Sequence, residues 1–167
     1  PFVPMPVPVP PPSDFDGQGN YHAFRRDPWG VLWEYRIFGI AGIPVEFPLA
    51  DMARLDGYAF PPAPRLSGLE FSNYCNEVAA HRRQHYFSQN AGSLFERLIQ
   101  LCPEENVLVD IQLDEPAIHR LADRIVEHSL AYVHRAVAAQ ADEVRFGDDY
   151  GTEKGLIMSP ATWRRFI

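Results

Sequence analysis

The stretch Glu143-Val144-Arg145-Phe146-Gly147-Asp148-Asp149-Tyr150-Gly151 decides how the chain is read. Glu143 to Phe146 is expected to form a short strand. Two carboxylates, an aromatic and a glycine then fall where that strand should end. Downstream, Ser159-Pro160 predicts a helix start, with Ser at the N-cap and Pro at the first helical position. A long helical pattern precedes the strand. Helix, strand, polar loop, helix is the grammar of a parallel α/β sheet. In such folds the chemistry lies at the carboxyl ends of the strands. Asp148 and Asp149 are therefore the first candidates for function.

The preceding helix is expected to open at Asp114-Glu115-Pro116, with Asp114 as the cap. Ile118, Leu121, Ala122, Ile125, Leu130, Val133, Ala136 and Val137 form its apolar stripe. His119, His128 and His134 fall on or near the polar side, and no HExxH zinc pattern is present. A second strand–loop–helix unit is predicted upstream. Gln84 to Gln89 is its strand, Asn90-Ala91-Gly92-Ser93 its turn and cap, and Leu94 to Leu101 its helix. Leu94, Phe95, Leu98, Ile99 and Leu101 mark the buried face of that helix. The loop bearing Gln89, Asn90 and Ser93 should share a rim with Asp148 and Asp149. Glu105 to Asp110 reads only as a short apolar segment. Leu69 to His81 reads as a helix, and Pro48 to Leu55 as a short one.

Nearer the N-terminus, Val31 to Phe38 is rich in β-branched and aromatic residues and predicts a strand or hairpin arm. Gly39 to Gly42 turn the chain and Ile43 to Phe47 return it. Arg25 and Arg26 can bind an anionic group, because guanidinium suits carboxylates and phosphates. The plainer expectation is a solvated pair neutralised by Asp27 and Glu34. Residues 1 to 12 hold seven of the sixteen prolines. That composition excludes a helix and favours polyproline II or an extended lead-in. The expected organisation is a proline-rich segment over 1–20 and an α/β domain over 21–167.

A chain of 167 residues, 46% hydrophobic, can bury one core of ordinary size. The net charge of −7 argues against a nucleic-acid partner, which would want a basic face. No run approaches the roughly 20 apolar residues of a membrane span. The N-terminus lacks the basic region of a signal peptide. Cys75 and Cys102 form no CxxC, so two buried thiols in a cytoplasmic protein are expected rather than a disulfide. The first residue is Pro and the last helix is barely begun at Ile167, so the chain is expected to be a piece of a longer protein.

Paired aspartates at a strand end can hold a divalent cation, share a proton so that one acts as an acid, or accept hydrogen bonds from a ligand. The plainer reading is that one caps the next turn and the other is solvated. Sequence patterns across the chain narrow the choice. Phe146-Gly147-Asp148-Asp149-Tyr150-Gly151, Met158-Ser159-Pro160 and Trp163-Arg164-Arg165-Phe166 together resemble the uroporphyrinogen decarboxylase superfamily, most closely its divergent branches. Asp27-Pro28-Trp29-Gly30, Pro48-Leu49-Ala50-Asp51 and Ser93-Leu94-Phe95-Glu96 with Glu105-Asn106-Val107-Leu108 are similar to the same branches, in the same order.

The resemblance implies a (β/α)₈ TIM barrel, of which this α/β chain would be the middle portion. It implies two chemistries. One is decarboxylation of porphyrinogen acetate side chains, as in porphyrin and haem biosynthesis, which needs no cofactor. The other is methyl transfer with a zinc ion and a corrinoid protein. A barrel that only binds a ligand is a third alternative. Under the first, Asp148 and Asp149 are the catalytic candidates. Tyr150, Arg25, Arg26 and Asn90 would contact a small-molecule substrate, either a porphyrinogen or a methylated compound. No metal ligand is assigned, and a homodimer is compatible with the resemblance. The decarboxylases carry Ser where this chain has Asp149, and an anion there would repel substrate carboxylates.

Overall fold

The computed structural model describes residues 9–167, so the polyproline reading of Pro1 to Pro8 lies outside the described residues. The chain divides into two compact units, one running to Pro48 and one from Leu49 to Ile167.

The first unit is a three-stranded antiparallel sheet of β1 (Ala23–Arg26), β2 (Leu32–Tyr35) and β3 (Ile43–Glu46), in that order. The expected arm and its return are β2 and β3. The β1–β2 turn is built by Asp27-Pro28-Trp29-Gly30. The Asp27 carboxylate accepts from Trp29 N–H at 2.9 Å, Val31 N–H at 3.0 Å and the Trp33 indole N–H at 3.0 Å. Gly30 takes the left-handed position, φ 82°, that a side chain would strain. Gly42 sits where a Cβ would lie 2.9 Å from the Glu34 carbonyl oxygen and from the Tyr35 ring, so only glycine fits the return. Arg25 pairs with Asp14 and Arg26 with Glu46, not with the expected Asp27 and Glu34. Asp27 is committed to its turn, and Glu34 binds His22 at 2.7 Å and Arg36 at 2.8 Å.

The second unit begins with a 3-10 helix, Met52–Gly57, capped by Asp51. There follow α1 (Gly68–His81), β4 (Ser88–Asn90), α2 (Phe95–Leu101), α3 (Glu104–Leu113), α4 (Pro116–Ala138) and β5 (Glu143–Arg145). A small ribbon, β6 (Gly151–Thr152) and β7 (Gly155–Leu156), leads to α5 (Pro160–Phe166). Ser159 caps α5 by accepting from Thr162 N–H at 3.1 Å, as the sequence predicts. β4 and β5 pair in parallel, Ser88 opposite Glu143 and Asn90 opposite Arg145. Parallel neighbours need a long crossover, and α2, α3 and α4 provide it. Among the described residues no helix is long and apolar enough to cross a membrane.

Several expectations are corrected. The strand starts at Ser88 rather than Gln84, because Gln84 and His85 still donate to the His81 carbonyl at the end of α1. Residues 105–110 belong to a helix, α3. Asp114 does not cap α4; it ends α3 in the left-handed conformation, φ 62°, which Asp tolerates better than most residues. Glu115 is the N-cap, held out of the helical region by the following Pro116. In α4, Ile118, Leu121, Ala122, Ile125 and Ala136 are buried, but Leu130 and Val137 are 44% and 66% exposed. They lie on a second stripe with Val126 and Val133, at spacings of four, three and four residues along the helix.

Asp142 holds the start of the parallel pair. It accepts from Phe87 N–H at 3.0 Å and from Arg82 Nε at 2.9 Å. The Phe87 N–H first, and Arg82 second, hold its carboxyl below the usual carboxylate range. A lowered pKa contributes stability that is present above the ordinary value of 3.8 and lost as pH falls through the lowered one. Asp142→Asn is therefore expected to flatten the acid limb of a stability–pH curve below about pH 4, measured by urea unfolding. An unchanged acid limb would contradict this.

Both cysteines are free thiols; Cys102 is buried and Cys75 half-buried. Burial pushes the Cys102 thiol up to about 12. Since the thiolate is the reactive form, iodoacetamide at about pH 8 should label Cys75 in the native protein and Cys102 only after unfolding. Equal labelling of both under native conditions would show the core to be more open than described.

Candidate functional site

Because β4 and β5 run the same way, the loops that follow them leave on one side. Gly147 N–H donates to the Gly92 carbonyl at 3.0 Å, and Ala91 N–H to the Arg145 carbonyl at 2.9 Å. These bonds carry the parallel ladder one step beyond the strands. Asn90 and Ser93 share the rim with Asp148 and Asp149 as expected, whereas Gln89 lies inside β4 opposite Val144.

Asp148 ties the two loops together. Its Oδ2 accepts from Leu94 N–H at 2.9 Å and its Oδ1 from Glu96 N–H at 2.9 Å. The Tyr150 hydroxyl donates to Oδ2 at 2.8 Å. The first turn of a helix leaves its N–H groups without intrahelical partners. Ser93, the expected cap, does not fill that role; Leu94 stands at the N-cap with no side-chain bond. A carboxylate from a distant loop caps α2 instead, and the positive end of the helix favours its charge. Asp149 does something different. It is exposed, and its Oδ1 accepts from Gly151 N–H at 2.9 Å in a tight turn. The two aspartates thus bind separate donors.

Tyr150 stands between Phe95, 5.8 Å away centroid to centroid, and Trp163 at 5.9 Å edge-on. Burial, reinforced by the Asp148 carboxylate, pushes its phenol up to about 12. Asn90 is exposed and its Oδ1 accepts from Gly92 N–H at 2.7 Å, which shapes the turn where Gly92 adopts φ 99°. Arg25 and Arg26 belong to the other unit and are engaged there by Asp14 and Glu46.

Beside Asp148 lies a pocket of about 250 Å³. Leu94, Ile125, Val126, Leu130, Phe146 and Ile167 form its apolar walls. Ser93, Ser129, Asp148 and Tyr150 are its polar members. Sequence reasoning missed the contribution of α4. The spacing of Val126 and Leu130, out of phase with the buried stripe, was the available signal. Among the described residues no three His, Cys, Asp or Glu side chains are grouped to hold a metal.

No family model matches the chain, and neither a curated protein nor a solved structure shows similarity to it. The resemblance drawn above rests on the quoted motifs alone.

Removing the Asp148 carboxylate leaves two backbone N–H groups and a phenol without their acceptor. Asp148→Ala should destabilise the protein by about 1–3 kcal/mol in urea unfolding. Asp149→Asn keeps an acceptor for Gly151 and should stay within about 0.5 kcal/mol. Equal effects of the two would contradict the assignment of separate roles.

Proposed function

We propose that this chain forms part of a small-molecule enzyme similar to the uroporphyrinogen decarboxylase superfamily, with β4 and β5 as adjacent strands of a (β/α)₈ barrel. One observation carries the reading. A parallel strand pair joined by helices opens, at its carboxyl ends, onto a pocket lined by Asp148 and Tyr150. That is where barrel enzymes keep their chemistry. Two of the motifs that resemble the superfamily, Gly147-Asp148-Asp149-Tyr150 and Ser93-Leu94, fall on the loops that follow β5 and β4.

In the decarboxylase form of the proposal, an acid protonates a pyrrole ring carbon beside an acetate side chain. The resulting cation draws in the electrons of the C–CO₂ bond as carbon dioxide leaves. A proton from solvent then completes the methyl group, and the ring carbon returns its proton to the acid, which restores the pyrrole. Asp148 is held by three donors and acts as a fixed acceptor that orients the ring and Tyr150. Asp149, exposed and accepting from the Gly151 amide, is the candidate acid of this form. No cofactor is required.

The second form is methyl transfer with zinc and a corrinoid partner. The carboxylate on the pocket wall favours it, since Asp148 suits a neutral or cationic methylated compound better than a polycarboxylate. Among the described residues no group of three His, Cys, Asp or Glu side chains supplies zinc ligands. Assaying uroporphyrinogen turnover and zinc content on one protein sample separates the two. Turnover without zinc, lost in Asp149→Asn by about 10²-fold or more, is the decarboxylase outcome. Stoichiometric zinc with methyl transfer to a thiol is the other. The absence of both activities would overturn the proposal.

A further inference from the structure

We infer that the pocket beside Asp148 takes an uncharged or cationic molecule the size of a single aromatic ring, apolar in body and bearing one hydrogen-bond donor. The inference rests on the reading of this rim as a substrate site and names the class of molecule it admits.

Size sets the first limit. The pocket holds about 250 Å³. Apolar cavities of roughly 150 Å³ accommodate benzene, whereas sites for drug-sized ligands run from about 300 Å³ upward. A tetrapyrrole could place no more than one of its rings here. The walls set the second limit. Val126 and Leu130 of α4, Phe146 and the ring of Tyr150 line the pocket, so the body of the ligand must be apolar.

Charge sets the third. Among the described residues no Arg, Lys or His lines the pocket, and Asp148 does. An anion would meet a carboxylate with no compensating cation.

The donor count follows from the bonds already made. Asp148 Oδ2 receives both Leu94 N–H and the Tyr150 hydroxyl, which uses its two lone pairs. Among the described residues Oδ1 receives only Glu96 N–H and keeps one acceptor position. The Tyr150 hydrogen is already given to Asp148. One ligand N–H or O–H is therefore matched by one open lone pair. Ser93 and Ser129 hydroxyls can adapt as either donor or acceptor.

The test uses phenol, benzylamine and benzoate as probes, with binding to the whole protein followed by saturation-transfer NMR and titration. Phenol and benzylamine should bind, and benzoate should bind at least tenfold more weakly. Leu130→Trp fills the pocket from a position 44% exposed and should weaken phenol binding at least tenfold. Val137→Trp, on the same stripe but outside the pocket lining, should leave it unchanged. Circular dichroism checks whether both variants fold, and Val126→Trp stands in if Leu130→Trp does not. Benzoate binding as well as phenol, binding indifferent to the pocket-filling variant, or no binding of either neutral or cationic probe would each overturn the inference. Probe binding without uroporphyrinogen turnover would leave the inference standing and remove the decarboxylase reading. Turnover without probe binding would do the reverse.

Discussion

The bond from the Asp148 carboxylate to the Leu94 and Glu96 amides is the constraint on which the rest of the second unit depends. β4 and β5 are three residues each, so their ladder alone is short. Helix α2 has seven residues and no side-chain cap of its own. A carboxylate more than fifty residues further along the chain supplies the cap and fastens the loop after β5 to the loop after β4. Tyr150 is then placed against Phe95, and the pocket acquires a wall. At the opposite end of the pair, Asp142 performs the same service by binding Phe87 N–H and Arg82. Each end of β5 is thus flanked by an aspartate that reaches across to the β4 side.

This use of aspartate recurs through the chain. Asp27 organises the β1–β2 turn, Asp51 opens the 3-10 helix, Asp16 accepts from Gln18 and Asn20, and Asp149 closes on Gly151. Short strands and irregular connections leave many backbone N–H groups outside regular ladders, and a buried N–H without a partner is costly. The net charge of −7 is in part the consequence of using carboxylates to satisfy them. An acidic composition here reflects local architecture as much as the chemistry of a site.

What could be read in advance were elements with local causes. Ser159-Pro160 announces α5 through a cap and a fixed φ, and the glycine-separated apolar runs announce β2 and β3. The alternation of strand, polar loop and helix announces the parallel pair. What could not be read depends on distant partners. Nothing near Asp148 indicates that its acceptors face α2, and nothing near Arg25 or Arg26 indicates Asp14 or Glu46. Asp114 looks like a helix start because its residue type suits both an N-cap and a left-handed helix end; Pro116 decides between them. Leu130 and Val137 look buried because a 23-residue amphipathic helix carries two apolar stripes, and only tertiary packing selects one.

Amide hydrogen exchange at Leu94 and Glu96 tests the central claim most directly. If Asp148 is the acceptor that closes the rim, both amides exchange slowly in the unmodified protein. In Asp148→Ala both then speed up together while amides inside α4 keep their protection. If Leu94 and Glu96 exchange at the same rate with and without the carboxylate, the rim is not held by Asp148, and the account of the pocket falls with it.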